Sequence, residues 1–246
     1  MQHLCVHHHL GLGDHIICNG MIRHFASLNH RITLFCKQSY QQQVDTMFVD
    51  CPNLKTVAIP AYNSSYTEEL KFVDWYINKH KIERFMRIGY DGLQQYWSPD
   101  SREVTFDRAF YLQANVPYEY RWEKFYLVRD HENENRVLSK LNPKQEPFIF
   151  VHDDVDKGYV FEVDNPNNYK VVKNDKTETV FNMIGVLEKA TEIHCMESVF
   201  RTLIDHLKSI SCPLFLHTGF RPDGHGETIR PTSRKYWSTI HHKKVS

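Results

Sequence analysis

Absences in this 246-residue sequence narrow its function first. Net charge is missing: 30 Lys and Arg residues balance 30 Asp and Glu, so no global field draws the chain to nucleic acid or an anionic membrane surface. No apolar run approaches the roughly 18–20 residues of a membrane span, and the N-terminus carries no signal-peptide pattern. A cytoplasmic chain with no integral membrane segment is therefore expected. Paired-cysteine motifs are missing too. The six cysteines are scattered without a Cys-x-x-Cys, mostly in apolar stretches, which fits reduced core thiols. Three cofactor or nucleophile motifs are absent. Ile16 stands where the dinucleotide fingerprint needs its third glycine, which argues against a Rossmann-type oxidoreductase. No Gly-Lys-Ser/Thr follows the glycine turn, and no Gly-x-Ser-x-Gly elbow occurs.

What is present is a folded composition, 41% apolar with 13% aromatic residues, in a strand–helix rhythm. Leu4-Cys5-Val6 reads as a first strand, followed by the turn Gly11-Leu12-Gly13 and a helix from Asp14 to about Leu28. Strands at 31–36, 55–59 and 84–89 alternate with helices at 40–48 and 68–79, which implies a parallel sheet. A helix over 101–116, an irregular aromatic stretch at 118–127 and a helix at 130–141 come next. Asn142-Pro143-Lys144-Gln145-Glu146-Pro147 reads as a linker. The rhythm then restarts with strands at 148–152, 169–173, 191–195 and 213–217, and helices at 179–189 and 197–209. The expected architecture is α/β: two Rossmann-like domains facing a cleft, 1–142 and 147–230. A tail, 231–246, would carry a last helix over 233–240 and pack back on the first domain.

In open α/β sheets ligands bind beyond the carboxyl ends of strands. Four stretches meet that condition: Gly11–Asp14, His152-Asp153-Asp154, Cys195-Met196-Glu197-Ser198 and His217–Arg221. Gly11 and Gly13 allow positive φ and close backbone approach. Asp14 has two readings, a helix-capping carboxylate or a catalytic base, with His15 or one of His7 to His9 next in line as base. At Glu197-Ser198 a strand runs straight into a helix, so the N–H groups of Ser198, Val199 and Phe200 can hold a diphosphate; a plain Ser N-cap is the other reading. His7 and His9 share a strand face, yet no third ligand follows at a metal spacing. Asp153, Asp154 and Asp156 read more simply as a solvated loop with Lys157 and Gly158 than as a Mg²⁺ site, so no metal site is assigned.

Gly11-Leu12-Gly13-Asp14-His15-Ile16-Ile17 resembles the Gly-Asp turn that opens the heptosyltransferase family and related glycosyltransferases of the GT-B fold. The order of the second half from Thr179 to Leu207 is similar to that family as well, with Glu197-Ser198 at its Asp-Ser/Thr-Gly-x-x-His donor-phosphate motif. Val199 follows Ser198 in place of the glycine, and no histidine follows at the motif's spacing. The resemblance implies a small GT-B protein in which 118–127 and Pro231–Trp237 are crossing elements.

It also implies glycosyl transfer from a nucleotide-sugar donor to a glycan or other hydroxyl acceptor, inverting and metal-independent, with no cofactor beyond the donor. Asp14 would deprotonate the acceptor, with Gly11, Gly13 and His15 on the acceptor side. Helix N–H groups would lower the Asp14 pKa and keep it ionised. His152, Asp153, Lys157, Glu197, Ser198, Val199 and Arg221 would meet the donor, Glu197 at its ribose or sugar hydroxyls. Lys157, Arg221 or Arg230 would neutralise the leaving group. Tyr90, Tyr96, Trp97 and Phe220 are candidates for stacking on sugar or base. The alternative is a non-catalytic nucleotide- or sugar-binding module, which would keep the Ser198 helix end but need no Asp14.

Overall fold

The computed structural model describes residues 3–28, 31–60, 65–90, 95, 104–220 and 231–242. The chain divides into two compact units, Met1–Val128 and Arg129–Ser246. The division falls before the helix at 131–141, ahead of the Asn142–Pro147 stretch expected to join the domains. The reason is packing: Arg129 pairs with Glu134 of that helix and, at 2.9 Å, with Glu188 further along the second unit. The helix therefore belongs to the second unit.

In the first unit β1 (His3–His7), β2 (Arg31–Lys37), β3 (Leu54–Ile59) and β4 (Arg84–Arg87) form a parallel sheet in the order β3-β2-β1-β4. The central residues of β1 and β2 are buried and, apart from Thr33, apolar, as strands covered on both faces require. The order reverses at β1, so the β1–β4 crevice is the topological switch point where such sheets bind ligands. Helix α1 (Leu12–Ser27) follows β1, α2 is Gln41–Met47 and α3 is Tyr66–Lys79. Ser65 caps α3 by accepting the Glu68 amide, and acidic Glu68 and Glu69 fill its first turn. Helix α4 (Phe106–Gln113) is shorter than its pattern suggested, and the aromatic stretch after it contains a short helix, α5 (Tyr120–Glu123). The α5 backbone passes so close to α1 that a Cβ on Gly20 would lie 1.8 Å from the Tyr120 carbonyl oxygen. Arg121, fully buried, is neutralised there by Asp107.

The second unit opens with α6 (His131–Leu141) and holds β5 (Phe148–His152), β6 (Lys170–Lys173), β7 (Glu192–Met196) and β8 (Leu214–Thr218). Helices α7 (Ile184–Lys189) and α8 (Val199–His206) lie before and after β7. The expected helix at 179–189 forms only in its second half, because residues 180–183 are turns. The tail differs more. In place of a helix, residues 238–241 make a strand, β9 (Ser238–His241), parallel to β8 and pairing His217 with Ile240. Gly219, at φ 95°, makes room for it: a Cβ there would sit 2.0 Å from the His242 carbonyl oxygen. The sheet order is β6-β5-β7-β8-β9, all parallel, with its switch point between β5 and β7.

Candidate active site

Each switch point gathers residues singled out from the sequence. In the first unit, α1 starts at N-cap Gly11, whose backbone is extended (φ −66°, ψ 143°). The turn therefore does not use positive φ at Gly11 or Gly13. Its glycine matters for space instead, since a Cβ on Gly11 would lie 2.6 Å from Asp14 Oδ2. Asp14 stands in the first helical turn and folds its carboxylate back onto the Gly11 amide, as the acidic member of a capping box does. It keeps part of its surface open. Burial nevertheless raises its pKa, outweighing the pull of His9, the Gly11 amide and Lys37 in the other direction. That direction is opposite to the expected one: helix N–H groups contribute, and desolvation wins.

Around Asp14 the histidine triplet is spent one ring at a time. His7 Nε2 donates to Glu69 Oε1 at 3.0 Å, His8 Nδ1 to the His9 carbonyl at 2.6 Å, and His9 Nε2 to the Gly89 carbonyl at 2.7 Å. Tyr90 Oη donates to the same Glu69 oxygen at 2.6 Å. The Tyr90 ring stacks on His7, with centroids 4.7 Å apart, and meets the edge of His9. Burial lowers the pKa of His8 to about 3. His15, a candidate on the acceptor side, is wholly buried against His8, its pKa held well below the usual value by burial and by His8. An imidazole in that position cannot meet an acceptor. Glu69 was not singled out in the sequence, where it reads only as part of the helix over 68–79.

In the second unit, β5 and β7 bring His152 and Asp153 beside Glu197 and Ser198. Ser198 is the N-cap of α8, with extended backbone, but its hydroxyl makes no capping bond and its Oγ is buried without a hydrogen-bond partner. His152 Nδ1 donates to Asn174 Oδ1 at 3.0 Å, and its ring lies against Phe200. Burial lowers the His152 pKa. The charged candidates are already engaged. Asp153 holds Lys173 at 2.5 Å, Lys157 holds Asp154 at 2.7 Å, and Asp156 holds Lys176 at 2.5 Å. Lys157 therefore enters any site with its charge already paired. Arg201, buried, faces Glu197 at 3.8 Å and Asp205 at 3.1 Å, so Glu197 is turned toward an arginine as well as toward the helix end. Val199 begins α8 beside Ser198. Arg221, Arg230, Tyr96 and Trp97 lie outside the described residues.

One further cluster escaped sequence reading. His217 Nε2 and His194 Nδ1 are 2.9 Å apart, and His242 Nε2 lies 2.7 Å from His217 Nδ1. Phe161 stacks on His217 at 3.7 Å. Burial, with the neighbouring rings, lowers the His217 pKa to about 3. Among the described residues no group of three or more His, Cys, Asp or Glu side chains is arranged to hold a metal ion, and all six cysteines are free thiols. No described helix is long and apolar enough to cross a membrane.

No protein-family model matches the sequence, and no curated protein matches it significantly. Among solved structures the chain is similar to a glycosyl transferase of family 9 from Veillonella parvula, with a TM-score of 0.58 at 10% identity over 100% of this chain and 88% of that one. It is also similar to the iron-containing dodecameric heptosyltransferase TibC bound to ADP-D-β-D-heptose, with a TM-score of 0.51 at 14% identity. A TibC structure from enterotoxigenic E. coli gives 0.50 at 13% identity. The chain spans 61% and 58% of the length of those two TibC chains. At these identities the likeness is one of fold. The α/β architecture of two parallel-sheet units is the GT-B-like fold seen in glycosyltransferases.

Proposed function

We propose that the chain is a glycosyltransferase that moves a sugar from a nucleoside-diphosphate donor to an acceptor hydroxyl with inversion, with Asp14 as general base. The observation that carries this is the state of Asp14. It is a partly open carboxylate at the β1–β4 switch point, held by the Gly11 amide, with its pKa raised by burial. A carboxylate shifted upward is a stronger base than a free one, which is what proton abstraction from a hydroxyl needs. In this reaction the acceptor oxygen forms its bond to the anomeric carbon as the bond to the diphosphate breaks. The hydroxyl proton passes to Asp14, and the electron pair leaves with the diphosphate.

The donor reading rests on the second unit. The free Ser198 Oγ and the first amides of α8 offer hydrogen bonds and a positive dipole end to a diphosphate. His152, with Nδ1 committed to Asn174, has Nε2 left to accept a bond. The fold likeness to a heptosyltransferase described with ADP-heptose supports a nucleotide sugar as donor. We propose transfer without a metal because the loop carboxylates Asp153, Asp154 and Asp156 each neutralise a lysine.

Asp14→Asn tests the reading. Turnover should fall about 10²–10⁴-fold, the usual share of a general base. Stability should hold or rise at pH 7.5. A raised carboxyl pKa means the folded state binds more protons than the unfolded one, so ionising Asp14 above pH 3.8 costs stability that Asn does not lose. Near-normal turnover with intact folding would remove Asp14 as the base and pass that role to one of His7 to His9, whereas a wild-type protein that binds nucleotide sugars without transfer would be a binding module.

A further inference from the structure

Glu69 reaches the same β1–β4 switch point as Asp14, through His7 at the end of β1 and Tyr90 after β4, but plays no part in the chemistry above. Its Oε1 receives two donors, His7 Nε2–H at 3.0 Å and Tyr90 Oη–H at 2.6 Å. Both donors are fixed by packing: the His7 side chain is fully buried, and Tyr90 is stacked between His7 and the ring of Tyr66, which is 52% exposed. No donor among the described residues reaches Oε2, and the Glu69 side chain keeps 10% of its surface exposed. Asp14 and Glu69 also share electrostatic neighbours, Tyr90 and Lys37 at the end of β2.

A carboxylate satisfied on one oxygen, with no described donor on the other, at the switch point that also carries a candidate base, is built to accept a hydrogen bond from outside the protein. We infer that Glu69 positions a polyhydroxylated acceptor, a saccharide ring, by accepting one hydroxyl on Oε2 while a second hydroxyl of the same ring faces Asp14. The inference rests on the acceptor-side reading of Asp14. It excludes acceptors with a single hydroxyl, such as a serine or threonine side chain.

The charge states agree with this division of work. Burial would raise the Glu69 pKa, but the bonds from His7 and Tyr90 more than reverse it and hold the carboxyl low. Asp14 moves the other way. Two carboxyls at one switch point, shifted apart, are suited to different tasks, one fixed as an acceptor of hydrogen bonds and one able to take a proton.

The test uses saturation-transfer NMR on the full chain without nucleotide, with methyl glycosides of mannose, glucose and galactose as probes and N-acetylserinamide as the single-hydroxyl control. At least one glycoside should receive saturation, the control should not, and hydrogen exchange should slow at 66–73 and at Tyr90 in the wild-type protein. Glu69→Gln keeps the shape but puts an amide N–H₂ where the open oxygen was. It should weaken glycoside binding about ten- to hundredfold. In a transfer assay, acceptor KM should rise more than kcat falls, which mere loss of stability would not produce.

The inference is overturned if no glycoside binds, if the control binds equally, if protection appears only elsewhere, or if Glu69→Gln binds as the wild type does. Should that variant not fold, the wild-type exchange pattern decides alone. Glycoside binding through Glu69 in a protein without transfer activity would overturn the transferase reading and leave this site standing. Transfer indifferent to Glu69 would do the reverse.

Discussion

The two units are built alike and use their sheet edges differently. Both are all-parallel sheets with a switch point beside the first strand, and both crowd histidines at the carboxyl edge. In the first unit each ring of the His7–His9 triplet bonds to something other than a histidine ring, a carboxylate or a carbonyl, and two carboxyl groups stay partly open. In the second, the rings of His194, His217 and His242 bond to one another, and the loop carboxylates are closed by lysines. Composition is therefore a poor guide to which edge does acid–base chemistry. What matters is whether a carboxyl group is left with an unpaired, reachable oxygen.

That contrast is open to attack, most severely at β9. Gly219→Val forces a branched side chain into left-handed backbone and against the His242 carbonyl. It should cost about 2–4 kcal/mol, the sum of local strain and a displaced strand. Calorimetry should show the loss in the transition of the second unit. An equal drop in both units would mean that they do not unfold separately.

A pH series should affect both units. His8 in the first and His217 in the second take up a proton only near pH 3 when folded, against 6.5 when unfolded. Between those values the unfolded chain binds more protons, so stability falls as pH drops below about 6.5 and levels off above it. Melting temperature should decline from pH 7.5 to pH 5. His217→Gln should flatten the decline for the second unit only.

The smallest expected change in stability is at Ser198. Because its hydroxyl makes no capping bond, Ser198→Ala should shift stability by less than about 0.5 kcal/mol, against about 1 kcal/mol for a working cap. Affinity for ADP, measured by calorimetric titration, should still fall about tenfold if the free Oγ meets the diphosphate. A full capping loss with unchanged ADP affinity would make Ser198 structural and weaken the contrast.

The periodicity of apolar residues was enough to read the parallel α/β class, the strand positions within a residue or two, and the placement of Asp14, His152 and Ser198 at carboxyl ends. Those features come from local pattern, since a buried parallel strand needs a short apolar run and a helix start needs its turn. The tail shows where local pattern ends. Ser233–Ile240 has no strong period, and only pairing with β8 across Gly219 makes part of it a strand. The same holds for the unit boundary, which follows from the packing of α6 on α7, with Arg129 bonded to Glu134 and Glu188.

At the candidate site the difference is sharper. Residue types alone marked Asp14 as a cap or a base, and helix amides alone suggested a lowered pKa. Desolvation, which depends on everything packed around the group, reversed the direction. Glu69 is far from Asp14 along the chain. It reaches the same switch point only because β1 and β4 are adjacent in the sheet and Tyr90 reaches α3. Local pattern thus settled the elements and which residues stand at their ends. Which carboxyl groups are neutralised, which stay open and which way each titrates was left to the packed chain, because charge is set by contacts between segments far apart in it.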